Sequence, residues 1–310
     1  MFPGGQIMPP FECFDAASKG IDIQAFMAAP VYWFGEGARD RVVRHHPFRH
    51  EPRGDEPSWY QQGGGLKLWE ETYASFNLVP RQGPAFAPQM AGWFREKITT
   101  IDDYKGLKVR MWSNLGRKVV TKAGATAVLT PAADIYAALE RGVIDAAEWV
   151  GPYDDMKLGL HQTARHYYYP GWQDTGAMNE FSFNKKAYDA LPVDFQRILD
   201  HAAAAVQVYG LAHYHAKNAA ALERLRAEFK GKVEILPLPA SVLRELGKLS
   251  TQVPQGGIRK NPDGPEGPRV VHEIPGAGGP LGPRRRRRLP PARRRMITHC
   301  VVTRPARPPA

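Results

Sequence analysis

"GLKVRMWSNLGRKVVTKAGATAVLTPAADIYAALERGVIDAAEWVGPYDD", residues 106–155, alternates short apolar runs with amphipathic ones. "LKVRMW", "TAVLT" and "IDAAEWV" are strand-length and rich in β-branched or aromatic residues. Between them, "GRKVVTKAG" reads as a helix ended by Gly124. "PAADIYAALERG" reads as a second helix, with Pro131 in its first turn and Gly142 past its end. Strands separated by helices in this order predict an α/β fold with a mixed or parallel sheet.

The pattern extends both ways. Upstream, "FECFDAASKG" predicts a helix, "IQAFMAAPVYWF" a segment that is strand-like at its end, and "GGGLKLWEETYASFN" an amphipathic helix after a glycine turn. "NLVP" and "PQMAGWF" read as short strands. Downstream come "GPYDDMKLGLHQTA" as turn and helix, then "HYYYPGW" and "GAMNEFSFN" as strands. A short helix, a proline turn and one very long helix reach Gly231, followed by strand "VEILPLP" and helix "ASVLRELGKLSTQV". Two stretches break the rhythm. Residues 36–57 are dominated by charge, His and Pro. After Pro254 the chain turns to Gly, Pro and Arg without period, a composition typical of disorder.

The formal charge of +11 is unevenly placed. Residues 255–310 hold 13 Lys or Arg against 3 Asp or Glu, so the rest of the chain is close to neutral. Two cysteines, Cys13 and Cys300, offer no metal motif and no expected structural disulfide. No apolar run reaches 18 residues. The opening "MFPGGQIMPPFECF" lacks a basic region followed by an apolar one and reads as carrying no export signal. No P-loop, GxGxxG, HExxH or nucleophile–base set is present, so no catalysis is expected and the chain reads as a non-enzyme.

Four places could carry chemistry. Arg110 ends a strand and can present a planar fork to a carboxylate, or be a surface arginine paired with an acid. Glu148 and Trp149 stand at a strand's carboxyl end, where α/β proteins form ligand crevices; the alternative is a Trp packed over an edge beside a solvated Glu. Gln89, Glu148 and Asp174 offer oxygens suited to a hard cation, or are ordinary polar loop residues. The arginine-rich stretch 284–295 supports an alternative function, a nucleic-acid-binding tail; it has no interleaved aromatics and no nucleic-acid fold beside it.

"GLKVRMW", "EWVGPY", "YYYPGW" and "GAMNEFSFN", with "FPGGQIMPPFECFDAASKG", "PVYWFG" and "GGGLKLWEE" upstream, occur in one order over about residues 1–35 and 58–253. In this the chain resembles the DctP-type substrate-binding subunits of tripartite ATP-independent periplasmic (TRAP) transporters, in the branch that binds 2-oxo acids and related monocarboxylates. The resemblance implies a two-lobed periplasmic-binding-protein-like fold with crossing strands and a long lobe-spanning helix. Lobe I would take residues 1–87 and lobe II 88–175. Residues 176–215 would return to lobe I and start the spanning helix, and 216–253 would finish it in lobe II.

The resemblance further implies a small organic acid in the cleft, a bound sodium or calcium ion, delivery to membrane permease subunits, a periplasmic location and a homodimer. Carried over by position, Arg110 would grip the carboxylate, Gln89, Glu148 and Trp149 would line the cleft and serve the ion, and Asp174, with Glu180 as second choice, would complete the ion site. Tyr32 and Trp33 would cover the ligand. The chain departs from the family at "WSNLG", where a Pro-Gly-rich turn is usual, and at "RQGPAFAPQ". The family also has a first β-α unit ahead of "FPGGQ", so the chain reads as N-terminally truncated. With suitable codons, residues 45–52 and 263–267 read one base later yield family-like text. Local frame slips are therefore expected over 36–57 and from about 254 onward, making 254–310 a disordered or out-of-frame basic tail.

Overall fold

The computed structural model describes residues 2–33, 60–174, 176 and 178–253. The irregular block at 36–57, the arginine run and the rest of the tail lie outside the described residues. Nine strands form two sheets among the described residues. In the three-stranded sheet, β8 (Met178–Asn184) lies antiparallel between β1 (Ala25–Ala28) and β2 (Leu78–Ala85). The six-stranded sheet contains β3 (Gly92–Phe94), β4 (Lys108–Arg110), β5 (Thr126–Val128), β6 (Ala146–Ala147), β7 (His166–Tyr169) and β9 (Glu234–Pro237). Its order is β5-β4-β6-β3-β7-β9, and only β3 runs against its neighbours.

The chain passes from the first sheet to the second between β2 and β3 and returns between β7 and β8. The eight described α-helices are α1 (Cys13–Lys19), α2 (Gly65–Ala74), α3 (Asn114–Lys122), α4 (Ala132–Glu140), α5 (Pro152–Lys157), α6 (Lys185–Asp189), α7 (Val193–Glu228) and α8 (Ala240–Thr251). The 36 residues of α7 give a rod about 54 Å long at 1.5 Å per residue. It packs on β2 of the smaller sheet and on α5 beside the larger one. None of the described helices is long and apolar enough to cross a membrane.

Neighbouring side chains on the larger sheet point to opposite faces, as a pleat demands. Phe94, Ala146 and Tyr168 join the core beneath α3 and α8, with Val119, Val120, Val242 and Leu246. Trp93, Ala147 and Tyr167 join the opposite core, with Ile135 and Leu139 of α4 and Leu225 of α7. The smaller sheet has its own aromatic core, made by Phe14, Trp33, Trp69, Tyr73, Leu78 and Met178.

Local signals set the boundaries. Ser113 caps α3 by accepting from the Gly116 amide at 3.1 Å. Gly124 and Gly142 follow α3 and α4 with φ of 100° and 70°, a left-handed backbone open to glycine at little cost. Two expectations are corrected. Strand β1 ends at Ala28, and "PVYW" forms a 3-10 turn (Pro30–Trp33), because Pro30 has no amide to continue a ladder. "IDAAEWV" contributes only Ala146–Ala147 as strand, since the chain then turns sharply into α5.

Candidate functional site

Strands β4, β5 and β6 are mutually parallel, and β7 runs the same way across the antiparallel β3. The carboxyl ends of all four strands and the amino end of β3 therefore share one edge of the sheet. That edge collects Arg110, Thr130, Glu148, Trp149, Gln173 and Asp174, with Gln89 just before β3. Ligands of open α/β sheets sit at this kind of edge.

Arg110 is its centre. It is fully buried, so the surface-arginine alternative does not hold. Its Nη1 donates to the Glu148 carboxylate at 2.8 Å and to the Glu148 carbonyl, and Nε donates to the Thr130 carbonyl at 3.3 Å. The guanidinium lies 4.9 Å from the centre of the Trp149 ring, close enough for a cation–π contact. Nη2 is buried and makes no close, well-aligned hydrogen bond to any described residue, with the Tyr32 hydroxyl the polar group that interacts with the guanidinium from the other side. Leaving such a donor unmet is costly, and an incoming carboxylate would satisfy it.

Glu148 is also buried rather than solvated. One carboxylate oxygen takes Arg110 and the other accepts from the Trp112 amide at 2.8 Å. Burial pushes its carboxyl up to about 7, while Arg110 and the Trp112 amide pull it back. The Glu148 side chain thus holds the arginine in place. Arg117 approaches from α3, donating to the Trp112 carbonyl at 2.8 Å; burial and the Arg110 charge push its guanidinium down. The formal charge of Arg110, Arg117 and ionised Glu148 is positive, which suits an anion.

Gln173 is completely buried and its amide orientation is set by Nε2 donating to the Met90 carbonyl at 2.7 Å. Its Oε1 is buried without a hydrogen-bond partner among the described residues, and its Nε2 lies 3.4 Å from Oε1 of Gln89. Buried Asp174 accepts from the Gly176 amide at 2.8 Å. Among the described residues there is no cluster of three or more His, Cys, Asp or Glu side chains. A cation here would rely on amide and carbonyl oxygens, and the buried Gln173 Oε1 fits a hard ion such as sodium or calcium.

Tyr32 and Trp33 part ways. Tyr32 faces Trp112, with ring centres 6.4 Å apart. Burial raises its phenol, while the nearby Arg110 lowers it. Ala29, Phe86 and Trp112 pack with Tyr32, Val150 and Tyr214, forming an apolar cluster drawn from the segments that leave strands of both sheets and from α7. Trp33 instead sits in the aromatic core of the smaller sheet, its Nε1 donating to Glu180 Oε1 at 2.8 Å. Glu180 lies in mid-β8 opposite Ala28 and Gln82, inside the smaller sheet.

Asp155, Arg117 and Gln173 escaped the sequence reading. Asp155 on α5 accepts from Trp93 Nε1 at 3.0 Å, Tyr167 Oη at 2.7 Å and the Val150 and Gly151 amides at 3.1 and 3.0 Å. It ties the turn after Glu148 and Trp149 to the sheet. Burial raises its carboxyl to about 6 from 3.8, against the pull of the four donors. The folded state therefore holds this proton over a range in which the unfolded chain has lost it. Its contribution to stability grows as pH falls from 6 towards 3.8 and is lost as pH rises through 6. Relative to Asp155→Asn, the protein is expected to gain about 2 kcal/mol between pH 7 and pH 4. Urea unfolding of both proteins at the two pH values checks this, and a gap that shrinks on acidification would refute it.

Residues 85–256 match the bacterial extracellular solute-binding protein, family 7 (DctP). A Nostoc sp. protein named monocarboxylate 2-oxoacid-binding periplasmic protein is 34% identical over 252 residues, covering 81% of this chain and 68% of that protein. A TRAP transporter solute-binding protein from Bordetella bronchiseptica has a TM-score of 0.75 and 34% identity, covering 81% of this chain and 73% of that one. It is described as a mixed-occupancy dimer with calcium and picolinate bound. One from Pseudoalteromonas atlantica, with bound sodium and pyruvate, has a TM-score of 0.72 and 34% identity, covering 78% and 72%. These comparisons lend no support to a nucleic-acid-binding role. A matching family domain over more than half its length and a solved relative sharing its α/β architecture together place the chain in the DctP family, the solute-binding subunits of TRAP transporters.

Proposed function

We propose that the protein binds a small 2-oxo acid, such as pyruvate, at the carboxyl edge of its six-stranded sheet and passes it to membrane permease subunits. The observation that carries this reading is the Arg110 guanidinium. Glu148 and Thr130 hold one side of it, while the buried Nη2 makes no close hydrogen bond to the described residues. Nη2 would take one oxygen of the ligand's carboxylate. Tyr32 and Trp112 would close over the ligand's apolar end when the two lobes approach.

Pyruvate and picolinate, the molecules bound to the relatives, share a carboxylate with a second donor atom on the adjacent carbon. That pair forms a five-membered chelate with a cation. Gln89, the Glu148 and Trp149 segment, Gln173 and Asp174 supply oxygens where such a cation would sit beside Arg110. Glu180, spent on Trp33, is not needed there. A periplasmic place of work and self-association into a homodimer complete the reading, the latter supported by the Bordetella relative.

Titration calorimetry of pyruvate in calcium, in sodium and in chelator with choline chloride tests the proposal. Binding is expected to need one of the two ions, and propionate, which lacks the oxo oxygen, should bind at least about 10-fold more weakly. Gln173→Leu is expected to weaken ion-supported pyruvate binding by about 10- to 100-fold. Equal affinity for pyruvate and propionate would refute the chelate reading, and unchanged affinity in Gln173→Leu would refute the part given to that residue.

A further inference from the structure

The opposite edge of the six-stranded sheet holds a pocket that the ligand reading does not use. Strand β3 runs against its neighbours, so its carboxyl end lies among the amino ends of β6, β7 and β9. An open pocket of about 550 Å³ at this end is lined by Arg95, Glu96, the segment from His161 to Arg165, Phe229 and Lys232. Three permanent cations, Arg95, Arg165 and Lys232, thus stand against one acid, Glu96. Among the described residues only Arg165 of these four has an ion pair, its Nε donating to Glu234 at 2.8 Å.

Strand register brings two of the cations together. Gly92, Trp93 and Phe94 pair with Tyr168, Tyr167 and His166, and one step further sets Arg95 opposite Arg165. The two arginines extend the rows of Trp93 and Tyr167, whose rings stack with centres 3.9 Å apart. Like charges directly opposite across an antiparallel pair repel. Glu234 relieves Arg165, while Arg95 has no acid beside it among the described residues. A Cβ on Gly142 would stand 2.5 Å from Nη1 of Arg95, so the guanidinium lies against bare backbone of the turn after α4. Lys232 comes from the turn between α7 and β9, closed by its own amide donating to the Phe229 carbonyl at 2.9 Å. The Phe229 ring meets His161 edge-on, centres 4.5 Å apart, and gives the pocket an aromatic wall. Burial and the Arg224 guanidinium push the His161 imidazole down, so it is uncharged at neutral pH.

We infer that this pocket binds a small phosphomonoester, its phosphate taken by Arg95, Arg165 and Lys232 and its organic group lying on Phe229. Guanidinium forks match phosphate oxygens. Three cations against one acid suit a dianion better than a single carboxylate. The volume lies in the range of small-molecule sites and exceeds what a bare phosphate ion would fill. The inference does not depend on the 2-oxo acid reading, whose residues lie at the other edge of the sheet.

Titration calorimetry of the full chain with phenyl phosphate, in a low-salt buffer free of phosphate, tests this. The arginine-rich tail also attracts phosphate, so every variant keeps it and the difference from wild type reports the pocket. Arg95→Gln with Lys232→Gln is expected to weaken binding by at least about 10-fold, and Glu96→Gln to tighten it by about 2- to 5-fold. These three side chains are exposed, and unchanged thermal midpoints and pyruvate affinity verify that the fold is kept. Phe229→Leu should weaken phenyl phosphate and leave inorganic phosphate as it was. Benzoate, with the same ring and one charge, should bind at least about 10-fold more weakly than phenyl phosphate. Phosphatidylcholine vesicles with and without phosphatidic acid separate the sources of the ester. Retention on phosphatidic acid that needs Arg95 and Lys232, with no such dependence for phenyl phosphate, assigns the site to a lipid headgroup. Binding of both probes that ignores the Arg95 and Lys232 substitutions belongs to the tail and overturns the inference. Equal affinity for benzoate overturns the choice of phosphate, and unchanged phenyl phosphate binding in Phe229→Leu overturns the part given to the ring.

Discussion

Replacing Arg110 by methionine is expected to abolish carboxylate binding and to lower stability by about 3–5 kcal/mol. Methionine fills much of the stem volume but supplies no donor. Glu148 is then left in a dry interior with the Trp112 amide as its one remaining partner in the set described above. Breaking a buried ion pair from one side costs about 3–5 kcal/mol, because the surviving charge is uncompensated. For a chain of this size the thermal midpoint should fall by about 6–20 °C. Adding Glu148→Leu removes the stranded charge and should recover most of the stability while binding stays lost. Arg110→Lys keeps the charge but not the fork, and should bind about 100-fold more weakly. Urea unfolding and titration with pyruvate measure the two effects separately. Wild-type affinity in Arg110→Met would show that the carboxylate is held elsewhere.

Gly171→Ala is expected to cost about 2–4 kcal/mol and to disturb the ion-supported side of the site. The Gly171 amide donates to the Gln89 carbonyl at 3.0 Å. A Cβ on Gly171 would stand 2.3 Å from that same oxygen and 2.7 Å from its carbon. Both atoms are backbone, so no side-chain rotation relieves the overlap, and the 89–90 segment must move away from β7. The Gln173 amide, anchored on the Met90 carbonyl, would move with it. Gly151→Ala is the comparison: there a Cβ meets the Asn218 side chain at 3.0 Å, which can yield, at a cost of about 1 kcal/mol. Similar losses of stability in the two variants would count against the close approach at Gly171.

Much of the fold was legible because its signals are local. Pro131, Gly124 and Gly142 bracket α3 and α4 within single turns, and the length of α7 was evident from an unbroken run without Pro. The strand at "PVYWF" was misplaced because apolar content outweighed the missing amide of Pro30. Arg110 and Glu148 could be singled out because strand ends in α/β chains are sites in general, and Asp174 because its carboxylate suits a hard cation and the family likeness places an acid after "PGW". Asp155 and Gln173 could not. An aspartate in the first turns of a helix and a glutamine in a loop are ordinary by composition. Their significance arises from Trp93 and Tyr167 in the one case and Met90 in the other, 12 to 83 positions away.

The sequence by itself determined the α/β alternation, the helix stops, the near-neutral body and the family likeness, because periodicity, caps and motif order are written in neighbouring residues. Tertiary structure alone decided which polar groups are left unmet. Strand order brings the ends of β4, β6 and β7 to one edge, where Glu148 uses one side of the Arg110 fork and leaves Nη2 without a close hydrogen bond among the described residues. It likewise sent Trp33 to Glu180, 147 positions along the chain, and Tyr32 towards Arg110. Desolvation and hydrogen-bond geometry depend on what surrounds an atom in space, and adjacent residues in a chain can differ completely in both.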